Sequence, residues 1–439
     1  MRALSLLILL WLAAPAGAAP KLDPERVADL ISGKLEPAEA AAAWRERGLS
    51  PEAALEALRK RKLRPQVRPG LHEVELTDGH ERQSSAYLHV PSKAYKKGRY
   101  RVLIMLHGIG GNSKGGFELA ASLAPKGTLV IGPTALKPRG ADKPEDLPDL
   151  PLLKPLLSKF PLWWSYRERS FPLQALRFLL QRFPVDTDRV VLIGYSMGGF
   201  GTWNLGLRFH ERFAGASPMA GGVSRQEFAP LGRDQRTRHL LGNARMLPLF
   251  FLHGDADSVV PVRFDRWSAE DLGQAGLPFV YEEVPQGEHV MSDQLGRGPL
   301  REKLIRWIAS QEREAHPRRV EHHAIAAYHG AAYWVRLDEL SGAKARVVAV
   351  ARKQTIRVVC EGVKTLSLHL DPELVDPGKT VKVFVNGRGL FKGKVAPRLE
   401  AVAETFARSG DVALTYAHQL RLELPGDLPS PQAGDWGLR

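Results

Sequence analysis

The sequence predicts an α/β protein: a doubly wound, mostly parallel sheet with an N-terminal helical appendage and a small C-terminal β-sandwich-like domain. Three observations predict this fold class. Apolar runs alternate with helical patterns between about residues 70 and 312. A Gly-x-Ser-x-Gly pentapeptide at 194–198 directly follows one of these runs. After residue 316 the pattern changes to short alternating strands separated by turns.

The N-terminus resembles an export signal. Arg2 precedes the apolar run 3–12 and the small-residue stretch 16–18, which predicts a secretory signal peptide over residues 1–19. The run is shorter than the roughly 20 apolar residues that a membrane span needs, so no membrane anchor is expected. We expect a secreted or periplasmic protein.

Residues 20–68 are predicted to form a small helical segment. Pro24, Pro37 and Pro51 are each followed closely by an acidic residue. Proline at the first helical position with acidic residues in the first turn is typical of a helix start. The role of this segment is not indicated by its sequence.

Residues 69–315 are predicted to form the sheet domain. Apolar runs typical of strands covered on both faces lie at 102–106, 129–132, 190–193 and 249–252, and a further strand is predicted at 280–284. Helical patterns occupy 173–182 and 299–314. The stretch 133–171 breaks this alternation, and an insertion of that length inside a compact domain is usually functional.

Residues 316–396 are predicted to form the β-rich module, and residues 397–439 a helix and a tail. Within the module, Asn386-Gly387 indicates a hairpin turn. Cys360 is the only cysteine, so an intramolecular disulfide is excluded, and its place in an alternating strand predicts a buried structural thiol. The net charge is +14, but the basic residues are widely spread. We expect affinity for anionic surfaces and no nucleic-acid-binding function.

The pentapeptide would place Ser196 on a sharp strand-to-helix turn. A serine hydroxyl needs a base to become a nucleophile, and the imidazolium that forms needs a carboxylate behind it. His289 and Asp257 each follow a later apolar strand, in the chain order expected for loops of one sheet. They are the predicted base and acid, with Asp255 the less favoured acid.

Acyl transfer also needs two hydrogen-bond donors for the oxyanion. The predicted donors are the backbone N–H groups of Met197 and Ile109, with Gly110 the alternative to Ile109. His107 is expected to support this loop rather than react. Three aromatic residues are substrate-pocket candidates, although the tryptophans could equally pack under the insertion: Trp163, Trp164 and Tyr195.

Metal and cofactor sites are not expected. His322, His323 and His329 lie close together in sequence but lack an acidic or cysteine partner at a useful spacing. The glycines of 108–116 do not form a phosphate loop, because no Gly-Lys-Ser/Thr sequence follows them.

The motifs at 106–111, 185–199, 253–257 and 287–289 together resemble the α/β-hydrolase superfamily. The similar groups are the phospholipase/carboxylesterase-like and feruloyl-esterase-like enzymes, which include polyhydroxybutyrate-depolymerase-like enzymes. The resemblance covers roughly residues 70–312 and implies Ser196 as nucleophile, Asp257 as acid and His289 as base, with Ile109 and Met197 at the oxyanion. The segment 333–387 also resembles a β module appended to some secreted bacterial esterases.

The sequence therefore predicts a secreted serine hydrolase that cleaves small or polymer-linked carboxylic esters without a cofactor. Two alternatives stay open: a peptidase of the prolyl-oligopeptidase type, and a degenerate hydrolase that binds a polymer. The acyl and alcohol specificity and the oligomeric state are not indicated.

Overall fold

The computed structural model of the protein describes residues 22–77, 82–96, 98–135, 163, 170–223, 225 and 237–438. The predicted signal peptide, and the insertion at 133–171 apart from its ends and Trp163, lie outside the described residues. The α-helices are α1 (Pro24–Ser32), α2 (Pro37–Glu46), α3 (Pro51–Arg59), α4 (Ser113–Leu123), α5 (Ser170–Arg182), α6 (Met197–Arg208), α7 (Arg263–Gln274), α8 (Ser292–Gly296), α9 (Pro299–Ser310) and α10 (Leu399–Ser409).

The strands form three sheets. The central sheet contains β1 (Gly70–Thr77), β2 (Gln83–Val90), β3 (Tyr100–Leu106), β4 (Thr128–Pro133), β5 (Val185–Tyr195), β6 (Gly215–Met219), β7 (Phe250–Gly254) and β8 (Val280–Val284). The C-terminal sheets contain β9 (Arg319–Ala324), β10 (Ala331–Ala332), β11 (Val335–Leu340), β12 (Ala345–Arg352), β13 (Thr355–Glu361), β14 (Val363–Leu370), β15 (Val381–Val385), β16 (Arg388–Gly393) and β17 (His418–Glu423).

The central sheet has the strand order β1-β2-β4-β3-β5-β6-β7-β8. The β1–β2 and β2–β4 pairs are antiparallel, and every pair from β4 to β8 is parallel. This topology confirms the α/β class that the sequence predicts. Because β3, β5, β7 and β8 run in one direction, the loops that follow them meet at one edge of the sheet.

Helices cover both faces of this sheet, which explains the continuous apolar runs. Successive side chains of a strand point to opposite faces. In β3, Val102, Ile104 and Leu106 accordingly belong to one core cluster, whereas Leu103 and Met105 belong to another. All five side chains are buried.

Strand β6 and the end of α9 were not predicted correctly. The sequence Gly-Ala-Ser-Pro-Met of β6 lacks an apolar run, yet the strand is buried between β5 and β7. Its start is dictated by packing, because a Cβ atom on Gly215 would lie 2.9 Å from the Trp307 ring. Helix α9 ends at Ser310 rather than at residue 314, and Arg313 instead pairs with Asp188 at 2.7 Å and Asp411 at 2.6 Å.

The C-terminal strands form a four-stranded sheet, β10-β11-β14-β17, and a five-stranded sheet, β16-β15-β13-β12-β9. The two sheets share one apolar core. Cys360 on β13 is buried, and burial raises the pKa of its thiol to about 12. The sequence predicted only a helix and a tail after residue 396, but β17 pairs with β14 and extends the first sheet.

The N-terminal helices pack against the C-terminal helix α10. Their shared core contains Leu30, Trp44, Leu58, Val402 and Phe406. Each N-terminal helix begins at a proline, as predicted. Helices α1, α2 and α3 and helix α10 therefore stabilise each other. Within the described residues, no helix combines the length and apolarity that a membrane crossing requires.

Candidate active site

Ser196 occupies a strained turn between β5 and α6. Its backbone angles are φ 56° and ψ −118°, a combination that residues other than glycine rarely adopt. The turn places the serine at the carboxyl edge of the sheet and directly before the N-terminus of α6. Ser196 is 5% exposed.

The flanking glycines make this turn sterically feasible. A Cβ atom on Gly194 would lie 2.2 Å from the Gly198 carbonyl oxygen. A Cβ atom on Gly198 would lie 1.9 Å from the Leu106 carbonyl oxygen. Real Cβ atoms do not approach this closely, so any larger residue at either position would force the backbone of β3, β5 or α6 to move.

The imidazole of His289 joins Ser196 to Asp257. His289 Nε2 lies 2.9 Å from Ser196 Oγ, and His289 Nδ1 lies 2.7 Å from Asp257 Oδ2. With the Nδ1 proton donated to the carboxylate, Nε2 is free to accept the serine proton. The structure thus brings together three side chains that are distant in sequence.

Asp257 is held in an ionised, fixed state. Its Oδ1 accepts backbone N–H groups from Val259 at 2.8 Å and Val260 at 2.7 Å. Burial opposes ionisation of Asp257, but hydrogen bonds from His253, His289 and the Val260 backbone outweigh burial and lower its pKa. Asp255, the less favoured acid, is exposed, and the carboxylate that bonds His289 Nδ1 belongs to Asp257.

The loop after β3 approaches Ser196 from the other side. A Cβ atom on Gly108 would lie 3.6 Å from Ser196 Cβ, so the loop backbone lies beside the serine. Ile109 follows and is half-buried against the core, and Gly110 has a φ of 69°. Met197 is buried at the first position of α6, where backbone N–H groups lack helical partners. Both predicted oxyanion donors therefore belong to segments that border Ser196.

His107 fixes this loop and stays neutral. Its Nδ1 donates to the Gly108 carbonyl at 2.7 Å, and its Nε2 accepts the Ala135 N–H at 3.1 Å. Burial lowers the pKa of His107, with the bond to Gly108 opposing that shift. The predicted supporting role agrees with these contacts.

Of the two tryptophans predicted as substrate-pocket candidates, only Trp163 lies within the described residues. Trp163 is completely buried and donates its indole N–H to the His107 carbonyl at 2.9 Å. Its location corrects the interpretation of Trp163 as a substrate-stacking residue, because packing against His107 and Gly201 leaves no exposed ring face. Trp164 lies outside the described residues.

Tyr195 holds the loop that carries His289. Its hydroxyl donates to the His289 carbonyl and accepts the Met291 N–H at 3.2 Å. The Tyr195 ring also packs edge-on against the His289 imidazole, with ring centroids 5.8 Å apart. Burial raises the pKa of Tyr195 to about 12, so the hydroxyl remains protonated at neutral pH. These contacts indicate a positioning role rather than a pocket role.

The sequence alone indicates no role for His253, although this residue lies within the motif at 253–257. This residue lies next to the end of β7 and is completely buried, with Nδ1 2.8 Å from Asp265 and Nε2 3.2 Å from Asp257. The one sequence feature that could have indicated a role is the position of this histidine directly after the apolar run 249–252. Burial alone would lower the pKa of His253, but the hydrogen bonds to Asp257 and Asp265 raise it from 6.5 to about 10. The stabilisation from this pairing is therefore complete below pH 6.5 and is lost as the pH rises towards 10.

His322 and His329, which the sequence does not favour as metal ligands, are buried in the protein interior. His322 Nδ1 lies 3.0 Å from His210 Nε2, and His322 Nε2 donates to the His329 carbonyl. His323 lies 3.4 Å from Glu321, an acidic residue two positions earlier on the same strand. In the part of the chain that the structure describes, no group of three or more histidine, cysteine or acidic residues could hold a metal ion.

The sequence is similar to several known proteins. Residues 85–289 match the sequence profile of the Dienelactone hydrolase family. A protein of Arthroderma benhamiae, described as an uncharacterized secreted protein, is 28% identical over 122 residues, which are 24% of this chain and 13% of that protein. Lysophospholipase-like protein 1 of Mus musculus is 27% identical over 128 residues, which are 29% of this chain and 48% of that protein. The matches thus span less than half of these relatives' own lengths.

Two solved structures illustrate the similarity in three dimensions. An S-formylglutathione hydrolase from Agrobacterium tumefaciens is 19% identical with a TM-score of 0.42, covering 55% of this chain and 95% of its own. A ferulic acid esterase from Anaeromyces mucronatus is 16% identical with a TM-score of 0.40, covering 58% of this chain and 94% of its own. The match over residues 85–289 and the strand order of the central sheet agree with an α/β-hydrolase fold for the central domain of this chain.

Proposed function

We propose that this protein is a serine esterase that cleaves carboxylic esters through an acyl-enzyme. The single observation that carries the proposal is the 2.9 Å contact between Ser196 Oγ and His289 Nε2, with Asp257 at 2.7 Å from the other ring nitrogen. This is the nucleophile–base–carboxylate arrangement that acyl transfer requires.

In the proposed reaction, Ser196 Oγ attacks the acyl carbon while its proton passes to His289 Nε2. The carbonyl oxygen becomes an anion that the backbone N–H groups of Ile109 and Met197 stabilise. Collapse of this intermediate breaks the ester C–O bond, and the leaving alkoxide takes the proton from Nε2. A water molecule, deprotonated by His289, then attacks the acyl-enzyme and releases the acid and Ser196.

The family name and one relative's name support an ester substrate. A lactone is a cyclic ester, and lysophospholipids contain a carboxylic ester. Export to the periplasm or the exterior is part of the proposal, based on residues 1–19 and supported by the name of the Arthroderma benhamiae relative. The β module and the net charge of +14 suit a polymer-linked or surface-bound substrate.

The proposal is tested by comparing ester and amide substrates with matched acyl groups. We expect turnover of p-nitrophenyl acetate and butyrate and far slower turnover of p-nitroanilides and prolyl peptides. A panel of feruloyl, acetyl-xylan and hydroxybutyrate esters would then define the acyl group. Preferential amide cleavage would favour the peptidase alternative, and the absence of any turnover by the folded chain would favour a binding protein.

The contacts of Tyr195 lead to a prediction for Tyr195→Phe. Loss of the hydroxyl leaves the His289 carbonyl and the Met291 N–H without their partner, so the loop that carries the base loosens. We expect kcat for p-nitrophenyl butyrate to fall roughly tenfold with little change in KM, and the free energy of unfolding in urea to fall by about 1–2 kcal/mol. Tyr95→Phe, which removes a hydroxyl bonded to Asp186 away from the site, is the matched control. An unchanged kcat in Tyr195→Phe would refute the positioning role.

A further inference from the structure

A buried chain of polar groups continues behind Asp257. The imidazole of His253 contacts Asp257 Oδ2 at 3.2 Å and the Val260 carbonyl at 2.9 Å through Nε2. Through Nδ1 it contacts Asp265 Oδ2 at 2.8 Å. Asp265 on α7 in turn accepts the Trp203 indole N–H at 3.1 Å. The side chains of His253, Asp257 and Asp265 are completely buried.

The partners of His253 determine its protonation state. Both ring nitrogens face oxygen atoms that can only accept hydrogen bonds: two carboxylates and a carbonyl. A neutral ring would turn one lone pair towards these oxygens, which is repulsive, whereas an imidazolium donates from both nitrogens. The raised pKa of His253, about 10 despite burial, agrees with this geometric argument.

Asp257 Oδ2 is therefore shared between two imidazoles. His289 Nδ1 approaches it at 2.7 Å and the His253 cation at 3.2 Å. The cation offsets one of two buried carboxylates, Asp257 and Asp265, so the group keeps a single net negative charge facing His289. Without the cation, two carboxylates would lie buried with one imidazole between them and would favour proton uptake.

We propose that His253, held by Asp265, is a positioning residue that keeps Asp257 ionised and oriented towards His289 during acyl transfer. This inference rests on the proposed function, because it concerns the same site. His253 touches neither Ser196 nor the reacting atoms and acts only through Asp257.

Among the residues that the structure describes, Glu283 is a further charged group near His253, and it is paired. Glu283 on β8 lies close enough to interact with His253 electrostatically, but it is bonded to Arg266 at 2.5 Å and to the Tyr281 hydroxyl at 2.9 Å. The groups that face the His253 ring, directly or through one partner, are Asp257, Asp265, His289, Glu283, Arg266 and Tyr281.

Two substitutions and one control test the proposal through the pH dependence of ester hydrolysis. His253→Gln removes the cation, and Asp265→Asn removes its counter-charge without touching Asp257. In both, we expect kcat to fall roughly 10- to 100-fold with KM within about threefold, by analogy with other residues that orient a functional group. In His253→Gln the midpoint of the acid limb of kcat/KM should rise by about one pH unit, because the group facing His289 gains one net negative charge and takes up a proton more readily. In Asp265→Asn the limb should not rise, because one negative charge is lost with the carboxylate.

Ser268→Ala is the matched control, since Ser268 is also buried on α7 and hydrogen-bonded to Phe264 and Val223. We expect its acid limb to stay at the wild-type position. The kcat of the double variant His253→Gln/Asp265→Asn should be no more than about threefold below that of the less active single variant, because the two residues act as one unit. A purely structural role of His253 would lower kcat in His253→Gln without moving the limb, and that result would overturn the proposal.

A second measurement does not depend on catalysis or on a variant that folds. In the full chain labelled with ¹⁵N-histidine, we expect both nitrogens of His253 to carry protons at pH 7–9 in the NMR spectrum. A neutral His253 ring at pH 7 would overturn the proposal. If the wild-type chain shows no Ser196-dependent ester turnover, the proposed function fails instead, and the NMR result still decides the state of His253.

Discussion

Ser196→Ala is expected to reduce turnover of p-nitrophenyl butyrate by roughly 10⁴-fold or more while the fold is retained. The substitution removes the only atom that can form the acyl-enzyme in the proposed reaction. Alanine fits the same turn, because it has the same Cβ and loses only Oγ. The measurement is kcat/KM, together with the circular dichroism spectrum and the urea unfolding transition of both proteins.

Ser217→Ala is the matched control for this result. Ser217 lies on the neighbouring strand β6, is completely buried, and its Oγ has no hydrogen-bond partner among the described residues. The same chemical change there should leave kcat/KM within about twofold of the wild-type value, since no hydrogen bond is lost. Equal losses in both variants would attribute the effect to packing and contradict the assignment of Ser196.

Asp257→Asn is expected to lower kcat on the order of 10⁴-fold. The asparagine oxygen would remain at the Val259 and Val260 N–H groups, so its NH₂ group would face His289 Nδ1. That nitrogen must then accept a hydrogen bond, which moves the ring proton to Nε2. An Nε2 that carries a proton cannot accept the proton of Ser196.

Asp255→Asn is the matched control, because Asp255 is an exposed carboxylate two positions away. We expect it to change kcat by less than about twofold, as surface substitutions usually do. The acid would have to be reassigned if Asp255→Asn lost activity and Asp257→Asn kept it. Steady-state kinetics on one ester at several pH values would separate these outcomes.

The sequence was sufficient to predict strands β3, β4, β5, β7 and β8 of the central sheet and the meeting of Ser196, Asp257 and His289. Continuous apolar runs mark strands that are covered on both faces, and their parallel order sends the following loops to one edge. The steric demand at Gly194 and Gly198 is local, so it is visible in the pentapeptide itself. These features depend on neighbours in sequence or on chain order, which is why they could be predicted.

Features that depend on long-range packing could not be predicted. Strand β6 has no apolar signature of its own and is defined by the strands on either side. Strand β17 pairs with β14, about 50 residues earlier in the chain. Trp163 could be assigned to the core or to a pocket only once its contact with His107 was known.

The same reason explains why the role of His253 was missed. A histidine at the end of an apolar strand is compatible with many environments. Only the fold brings Asp265 from α7 and Asp257 from the following loop to its two nitrogens. The chemistry of the ring is thus set by its partners rather than by its sequence neighbours.

The most direct test of the central claim is to react the full chain with a fluorophosphonate and locate the adduct by peptide mass mapping. The claim is that Ser196 is activated by His289 for attack on an acyl group. It predicts one covalent label per chain, on the peptide that contains Ser196. A label on another residue, or no label on the correctly folded chain, would contradict it.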